Sequence, residues 1–410
     1  MLTRREWLAL TTAPALLTSR WPHRGTVAQG GDTGLAARRI ARVIQEYEAQ
    51  GFHRTGTPVD RTSGEWLAEQ VRQIGLTPSA EPFPLNRVDP VTSVVIVADR
   101  RIEGLPLFDG AFTTAAGIRG RLGGQTGADV ALIQTPVNAS AVGPLGDARR
   151  ASRHKAIIAV TAGRRPGLCP SNADSFLRPF GPAVIQVSST EASWLAAQTT
   201  RGAEVQLIAH VARTPVTANN ITAVLQGTDP GLSPLVVMTP RSGWYGCASE
   251  RGGGITCWLE IMRALQSVRP ARSIWFVASS GHELGYLGIH AYLERRPDLV
   301  RNAAGWLHLG ANIGAAIEPG SLLQTNQDEF EAVLRREMST SGLEFTRRQP
   351  GSSPGGEAQA VHEGGGRYAS VIGTSALFHN ADDRGPGVVD PIVIAKFSAV
   401  FTAFAWGLAR

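Results

Sequence analysis

Apolar residues in "LAARRIARVIQEYEAQ" (35–50) recur every three or four positions with charges between them, the spacing of an amphipathic helix. "SGEWLAEQVRQIGL" (63–76) repeats that spacing, with Ser63 as the expected N-cap and Gly75 near its end. "TSVVIVADRR" (92–101) reads as a strand. Between about 85 and 212 the short strands "ADVALIQTP", "KAIIAVTAG" and "PAVIQVSS" alternate with Gly/Pro-rich turns and one helix, "STEASWLAAQTTRG". This stretch is β-rich and poor in groups suited to catalysis, which marks it as an inserted domain. From 218 onward the pattern changes to strand–helix–strand. "NNITAVLQG", "PLVVMTP", "RSIWFVASS" and "NAAGWLHLGANIG" are expected strands, and "GGGITCWLEIMRALQSV" (252–268) and "LGIHAYLERRP" are expected helices. Continuous apolar strands alternating with helices predict an α/β fold, a mixed, mostly parallel sheet sandwiched by helices, with ligands beyond the strand carboxyl ends.

Composition narrows the partners. The chain has 410 residues and a formal charge of +6, and only Lys155 and Lys396 of its 40 basic residues are lysine. The arginines stand singly or in pairs rather than in a run interleaved with aromatics, so no nucleic-acid partner is expected. Three cysteines with no Cys-x-x-Cys indicate neither a disulfide framework nor a thiolate metal site. The N-terminus, "MLTRREWLALTTAPALLTS", places Arg4-Arg5 before a short, weakly apolar stretch and resembles a twin-arginine export signal. Residues 1–32 are read as that signal, which predicts a periplasmic or secreted protein. An ordinary basic N-terminus is the other reading. No other segment reaches about 18 uninterrupted apolar residues, so stable membrane insertion after export is not expected.

Chemistry gathers at the predicted strand ends. Arg241 and Ser242 follow "PLVVMTP", and Glu250 stands in "CASERGGG" before a helix. His282 and Glu283 follow "WFVASSG", His308 lies in "GWLHLGAN", and His379 follows "SALF". Ionisable groups at successive strand ends form a site hypothesis. Each also has a structural reading: Glu250 as a charge facing a helix macrodipole, His308 as a satisfied core histidine, His379 as a loop residue. "HELGY" is not His-Glu-x-x-His, because position 286 is Tyr and Gly285 and Gly288 disfavour the helix that motif needs. Glu357 and His362, in the glycine-rich "PGSSPGGEAQAVHEGGGRY", are read as solvated loop groups. No Gly-x-Ser-x-Gly elbow or phosphate-binding glycine loop is present, which argues against a serine hydrolase.

The order of motifs resembles the metallopeptidase family of zinc aminopeptidases, glutamate carboxypeptidases and glutaminyl cyclases. "RTGTPVDRTSGEWLAEQVRQIGL", "TANNITAVLQGTDP" and "FVASSGHELGYLGIHAY" carry the likeness over most of the chain after the signal. The resemblance implies a zinc exopeptidase-like α/β domain at 35–84 and 213–410, with a protease-associated-like β-rich insert at 85–212. It also implies ligand roles. Glu283 and His379 match the family's ligand Glu and late His, and Glu250 falls on its bridging Asp. His308 falls on its second Asp and His282 on its general base, while the His-x-Asp segment has become "TPRSG". The expectation is one zinc ion on Glu250, Glu283 and His379, with His282 as base and Arg241 and His308 positioning a small peptide or amide substrate. Hydrolysis of an amide or peptide-like C–N bond is the activity implied. Two alternatives stay open: a non-catalytic binding protein, and a glutaminyl cyclase-like cyclising transferase. Oligomeric state is not legible.

Overall fold

A computed structural model describes residues 33–349 and 353–410, and the signal expected at 1–32 lies outside the described residues. The first amphipathic stretch forms α1 (Thr33–Glu48), burying Ile40, Val43, Ile44 and Tyr47. The second forms a longer helix than its pattern suggests, α2 (Pro58–Ile74). Thr57 is its N-cap, accepting from the Asp60 N–H, and Pro58 fills the first turn with a φ already set for a helix. That start lies upstream of Ser63, which becomes a buried mid-helix residue. Gly75 ends α2 in the left-handed region at φ 99°, where a side chain would be strained.

The central sheet follows from there. Strands β1 (Pro78–Val97) and β2 (Arg100–Glu103) form a hairpin, followed by β3 (Leu105–Pro106), β4 (Ile118–Gly123), β5 (Val130–Pro136), α3 (Gly143–Ala151) and β6 (Ala156–Ala162). Next come β7 (Ala183–Val187), α4 (Ala192–Thr200), β8 (Glu204–Leu225), β9 (Leu235–Pro240), α5 (Ala248–Leu265), β10 (Ile274–Ser279), α6 (Leu287–Glu294) and α7 (Leu299–Asn302). The chain finishes with β11 (Gly305–Leu309), β12 (Gly320–Thr325), α8 (Asp328–Thr340), β13 (Arg347–Arg348), α9 (Ala358–Glu363), β14 (Tyr368–Thr374) and α10 (Pro391–Ala409).

Strand order is β13-β12-β14-β11-β9-β10-β8, continuing through β4-β5-β6-β7-β3, with β1 also on β8. β14, β11, β9 and β10 run parallel to their neighbours in that series, while β8 and β12 join antiparallel at its two sides. β1 and β8 pair antiparallel from Pro78 opposite Ala223 to Val97 opposite Val205, with one register shift near Pro90. The domain limits expected near 85 and 212 therefore fall inside two continuous strands. Beyond them the excursion builds its own core from Val95, Ile158, Ile185, Leu195 and Leu207.

Helices cover the parallel strands on both sides, as strands buried on both faces require. α1, α5 and α10 pack on one another. On the opposite face Ile289, Tyr292, Val300 and Val361 close over Val236, Val277 and Trp306. Among the described residues one helix, α10, is long and apolar enough to cross a membrane, and more than half of it is buried within the protein. The three cysteines are free and buried.

Candidate active site

Four parallel strands end on one side of the sheet, and the loops after them carry the polar groups. β9 leads into Arg241 and Ser242, and β10 into a tight turn holding His282 and Glu283. β11 contains His308, and β14 leads to the loop bearing His379. Glu250 was expected just before a helix, yet it lies in the first turn of α5. Helix α5 starts upstream of its glycines because Asp383, 133 residues further on for Glu250, caps it. The Asp383 carboxylate accepts the backbone N–H groups of Ser249 (2.8 Å) and Glu250 (2.9 Å). Burial pushes the Asp383 carboxyl up to about 6.

Glycine shapes this end of the sheet at two positions. A Cβ on Gly253 would lie 1.9 Å from the Ile313 carbonyl oxygen, and one on Gly288 would lie 2.1 Å from that of Ser280. Only glycine permits those approaches. Cys247, Tyr286, Asn312 and His379 all adopt positive φ (53–59°). Such backbone is costly for residues with side chains and is kept where surrounding structure fixes it.

The site residues separate into two centres and one structural pair. In the first centre Glu357, at the N-terminus of α9, is completely buried between two imidazoles. His282 Nδ1 donates to Glu357 Oε1 (3.0 Å) and His308 Nε2 donates to Oε2 (3.3 Å). His308 Nδ1 in turn accepts from the Ser370 hydroxyl (2.8 Å). Burial alone would raise the Glu357 carboxyl, but the two histidines outweigh it and hold it well below the usual range. His282 is lowered, first by burial and then by the Arg251 guanidinium, with Glu357 opposing. The set is therefore an ionised carboxylate orienting a neutral imidazole. His282 keeps 7% exposure, whereas Glu357 and His308 have none.

The second centre is Glu250, Arg251 and His379. Arg251 Nη2 lies 2.8 Å from Glu250 Oε1, and His379 Nε2 lies 3.4 Å from the same oxygen. Arg251 Nε donates to the Ser242 carbonyl (2.6 Å), and His379 Nδ1 donates to the Pro170 carbonyl (2.5 Å) from the excursion. Burial would raise the Glu250 carboxyl, yet Arg251 and His379 hold it far below its ordinary value. Burial opposes the Arg251 charge, and Glu250, Cys247 and Glu357 more than restore it.

Glu283 and Arg241 stand apart from both. Glu283 accepts the Thr55 N–H (2.6 Å) on one oxygen and the Ser242 hydroxyl (2.7 Å) on the other. It thereby ties the loop before α2 to the turn after β10. Arg241 was expected to steady substrate. Its Nη1 instead pairs with Asp60 Oδ1 (2.9 Å) and its Nη2 donates to the Asn219 carbonyl (2.6 Å). Its long side chain reaches back beneath α2, where a buried carboxylate supplies the counter-charge.

These positions bear on zinc. Among the described residues no group of three or more His, Cys, Asp or Glu side chains converges to hold a metal ion. Glu250 and His379 meet, but Glu283 does not join them; its oxygens are turned to the Thr55 N–H and the Ser242 hydroxyl. The cation that Glu250 faces is Arg251. The donor set therefore does not fit a tetrahedral zinc site.

Sequence reasoning missed Arg251 and Asp383 and read Glu357 as solvated. Arg251 had one signal: a cation in the first turn of a helix opposes the macrodipole, so it needs a local anion to explain it. Glu357 had none, since glycines surround both exposed loops and tight buried turns. His362 lies behind the site, with Nδ1 near the Tyr368 hydroxyl (3.3 Å).

No family model and no curated protein matches this chain. Solved structures do. A zinc aminopeptidase from Bacillus subtilis superposes with a TM-score of 0.75 at 19% identity, over 90% of this chain and 94% of that one. A peptidase M28 precursor from Shewanella amazonensis gives 0.67 at 15% identity, over 92% and 97%. The glutaminyl cyclase of Porphyromonas gingivalis gives 0.51 at 13%, over 90% and 97%. The expected architecture is thus present, and this chain has the fold of the zinc aminopeptidases.

Proposed function

We propose that this chain is an exported hydrolase acting on an amide or peptide-like C–N bond, with His282 as the base that draws a proton from water. One observation carries the reading: the His282–Glu357 pair. With Nδ1–H committed to the carboxylate, Nε2 is the basic nitrogen, and it belongs to the only residue of that centre with any exposure. A water held at Nε2 would lose its proton as its oxygen attacks the carbonyl carbon. The proton then passes to the leaving nitrogen as the C–N bond breaks, and His282 returns neutral. His308 fixes the far side of Glu357 and so holds the imidazole in place. The fold shared with zinc aminopeptidases supports a C–N bond as target, and the twin-arginine-type N-terminus supports export. A small substrate suits a centre whose side chains are nearly closed to solvent.

A second reading, a non-catalytic binding protein on the same fold, is favoured by a different observation. Glu250 and Arg251 balance one another's charge inside the protein, as a retired centre would. Incubation with short peptides and N-acyl amides, with products weighed by mass spectrometry, separates the readings. Products that gain one water support hydrolysis, and loss of ammonia or water would indicate cyclisation. Ligand-induced thermal stabilisation with no product from any substrate would overturn the hydrolase in favour of binding.

A further inference from the structure

The polar atoms around Arg251 have an arrangement that the base assignment does not use. Its guanidinium is fully buried, and neither Nη1 nor Nη2 makes a hydrogen bond of good geometry. Glu250 Oε1 and His379 Nε2 are likewise buried without one. Arg251 Nη2, Glu250 Oε1 and His379 Nε2 thus meet at ion-pair distances, held by charge rather than by directed hydrogen bonds. Glu250, Cys247, Glu357 and Tyr47 lie close enough to act on the Arg251 charge. A guanidinium cannot give up its proton, so this charge is permanent.

We infer that Arg251 is the resident cation of this centre, standing where a metal ion would balance Glu250, so that the protein is complete without zinc and excludes it. The guanidinium comes from the residue next to Glu250 in the chain. It is fixed by the Ser242 carbonyl at Nε and by Glu250 at Nη2, and it has no room to swing into solvent. Zinc arriving at Glu250 and His379 would meet this charge at close range, and the nearest further donor, the Cys247 thiol 3.6 Å from Glu250 Oε2, is pushed up by burial. The inference concerns the centre itself and stands whether or not the cleft turns over substrate.

The test measures zinc content of the purified full chain by mass spectrometry, and melting with chelator or added zinc, for wild type and two variants. Wild type is expected to carry well under one zinc per chain, with Tm unmoved by chelator or by zinc. Arg251→Met leaves Glu250 buried without its cation and should lower Tm by roughly 4–6 °C. Arg251→Met combined with Glu250→Gln removes both charges and should recover most of that loss. If Arg251→Met does not fold, a double variant that does fold shows the same recovery. About one zinc per wild-type chain, with Tm lowered by chelator, would overturn the inference. So would a double variant no more stable than the single one.

Discussion

His282 Nδ1 lies 3.0 Å from Glu357 Oε1, although 75 residues separate them, and a second imidazole, His308, holds the other oxygen of the same carboxylate. That carboxylate fixes which nitrogen of His282 is basic and where it points. Glu357 is therefore a positioning residue. Glu357→Gln should lower kcat about 10²-fold or more with little change in KM. Because Glu357 opposes the lowering of His282 by burial and Arg251, its removal should also move the acid limb of the pH–rate profile to lower pH. A purely structural role would lower the amount of folded protein and leave the profile of the remainder unmoved.

Arg241 belongs to stability rather than to substrate. Its pair with Asp60 is buried, so Arg241→Met leaves an unpaired carboxylate that also accepts from Gly56 N–H and the Ser280 hydroxyl. Denaturant unfolding should show a loss of about 3–5 kcal/mol. KM of the protein that still folds should stay near wild type. A large rise in KM with unchanged stability would return Arg241 to the substrate.

Asp383 reaches across the fold to cap α5 and so sets the position of Glu250 and Arg251. Asp383→Ala orphans two buried N–H groups, and a loss of about 2–4 kcal/mol is expected. Asp383→Asn keeps one acceptor oxygen and should recover part of that loss. Equal effects from the two substitutions would argue against a cap.

His53 gives the fold an acid sensitivity. It stacks on Tyr47 with ring centroids 3.7 Å apart and donates from Nε2 to the Tyr47 carbonyl. Burial lowers it from 6.5 to about 3, with Arg241 and Arg251 adding to the effect. The folded state thus refuses a proton that the unfolded chain accepts. Its contribution to stability is full above about pH 6.5 and is lost as pH falls toward 3, with a slope of up to about 1.4 kcal/mol per pH unit. His53→Phe keeps the stacking, and the Tyr47 carbonyl keeps the Gln50 N–H. Urea midpoints across that window should fall less steeply for His53→Phe. Parallel curves would show that His53 titrates normally.

Much of this fold is legible in the chain, and the reasons are local. The apolar runs of β9 and β10 and the amphipathic spacing of α1 declare themselves because burial acts on nearby residues at fixed periods. The strand-end positions of His282, His308 and His379 follow from the same pattern. What each side chain faces does not. Arg241 and Arg251 both lie near strand or helix ends with glycines or serines close by, yet one turns to Asp60 beneath α2 and the other to Glu250. Those choices depend on counter-charges 181 residues away in one case and next door in the other. Glu283 is similar: its partners, Thr55 and Ser242, come from distant loops that only the closed sheet brings together. The start of α5 is misplaced for the same reason, since its cap comes from Asp383 rather than from any residue before it.

The role of His282 as a metal-independent base is tested most sharply by turnover of an amide substrate by chelator-treated wild type beside His282→Ala. Hydrolysis should survive chelation, with kcat about 10²–10⁴-fold lower in His282→Ala while the circular dichroism spectrum is unchanged. Turnover that His282→Ala retains in full, or that disappears on chelation and returns with zinc, would contradict it.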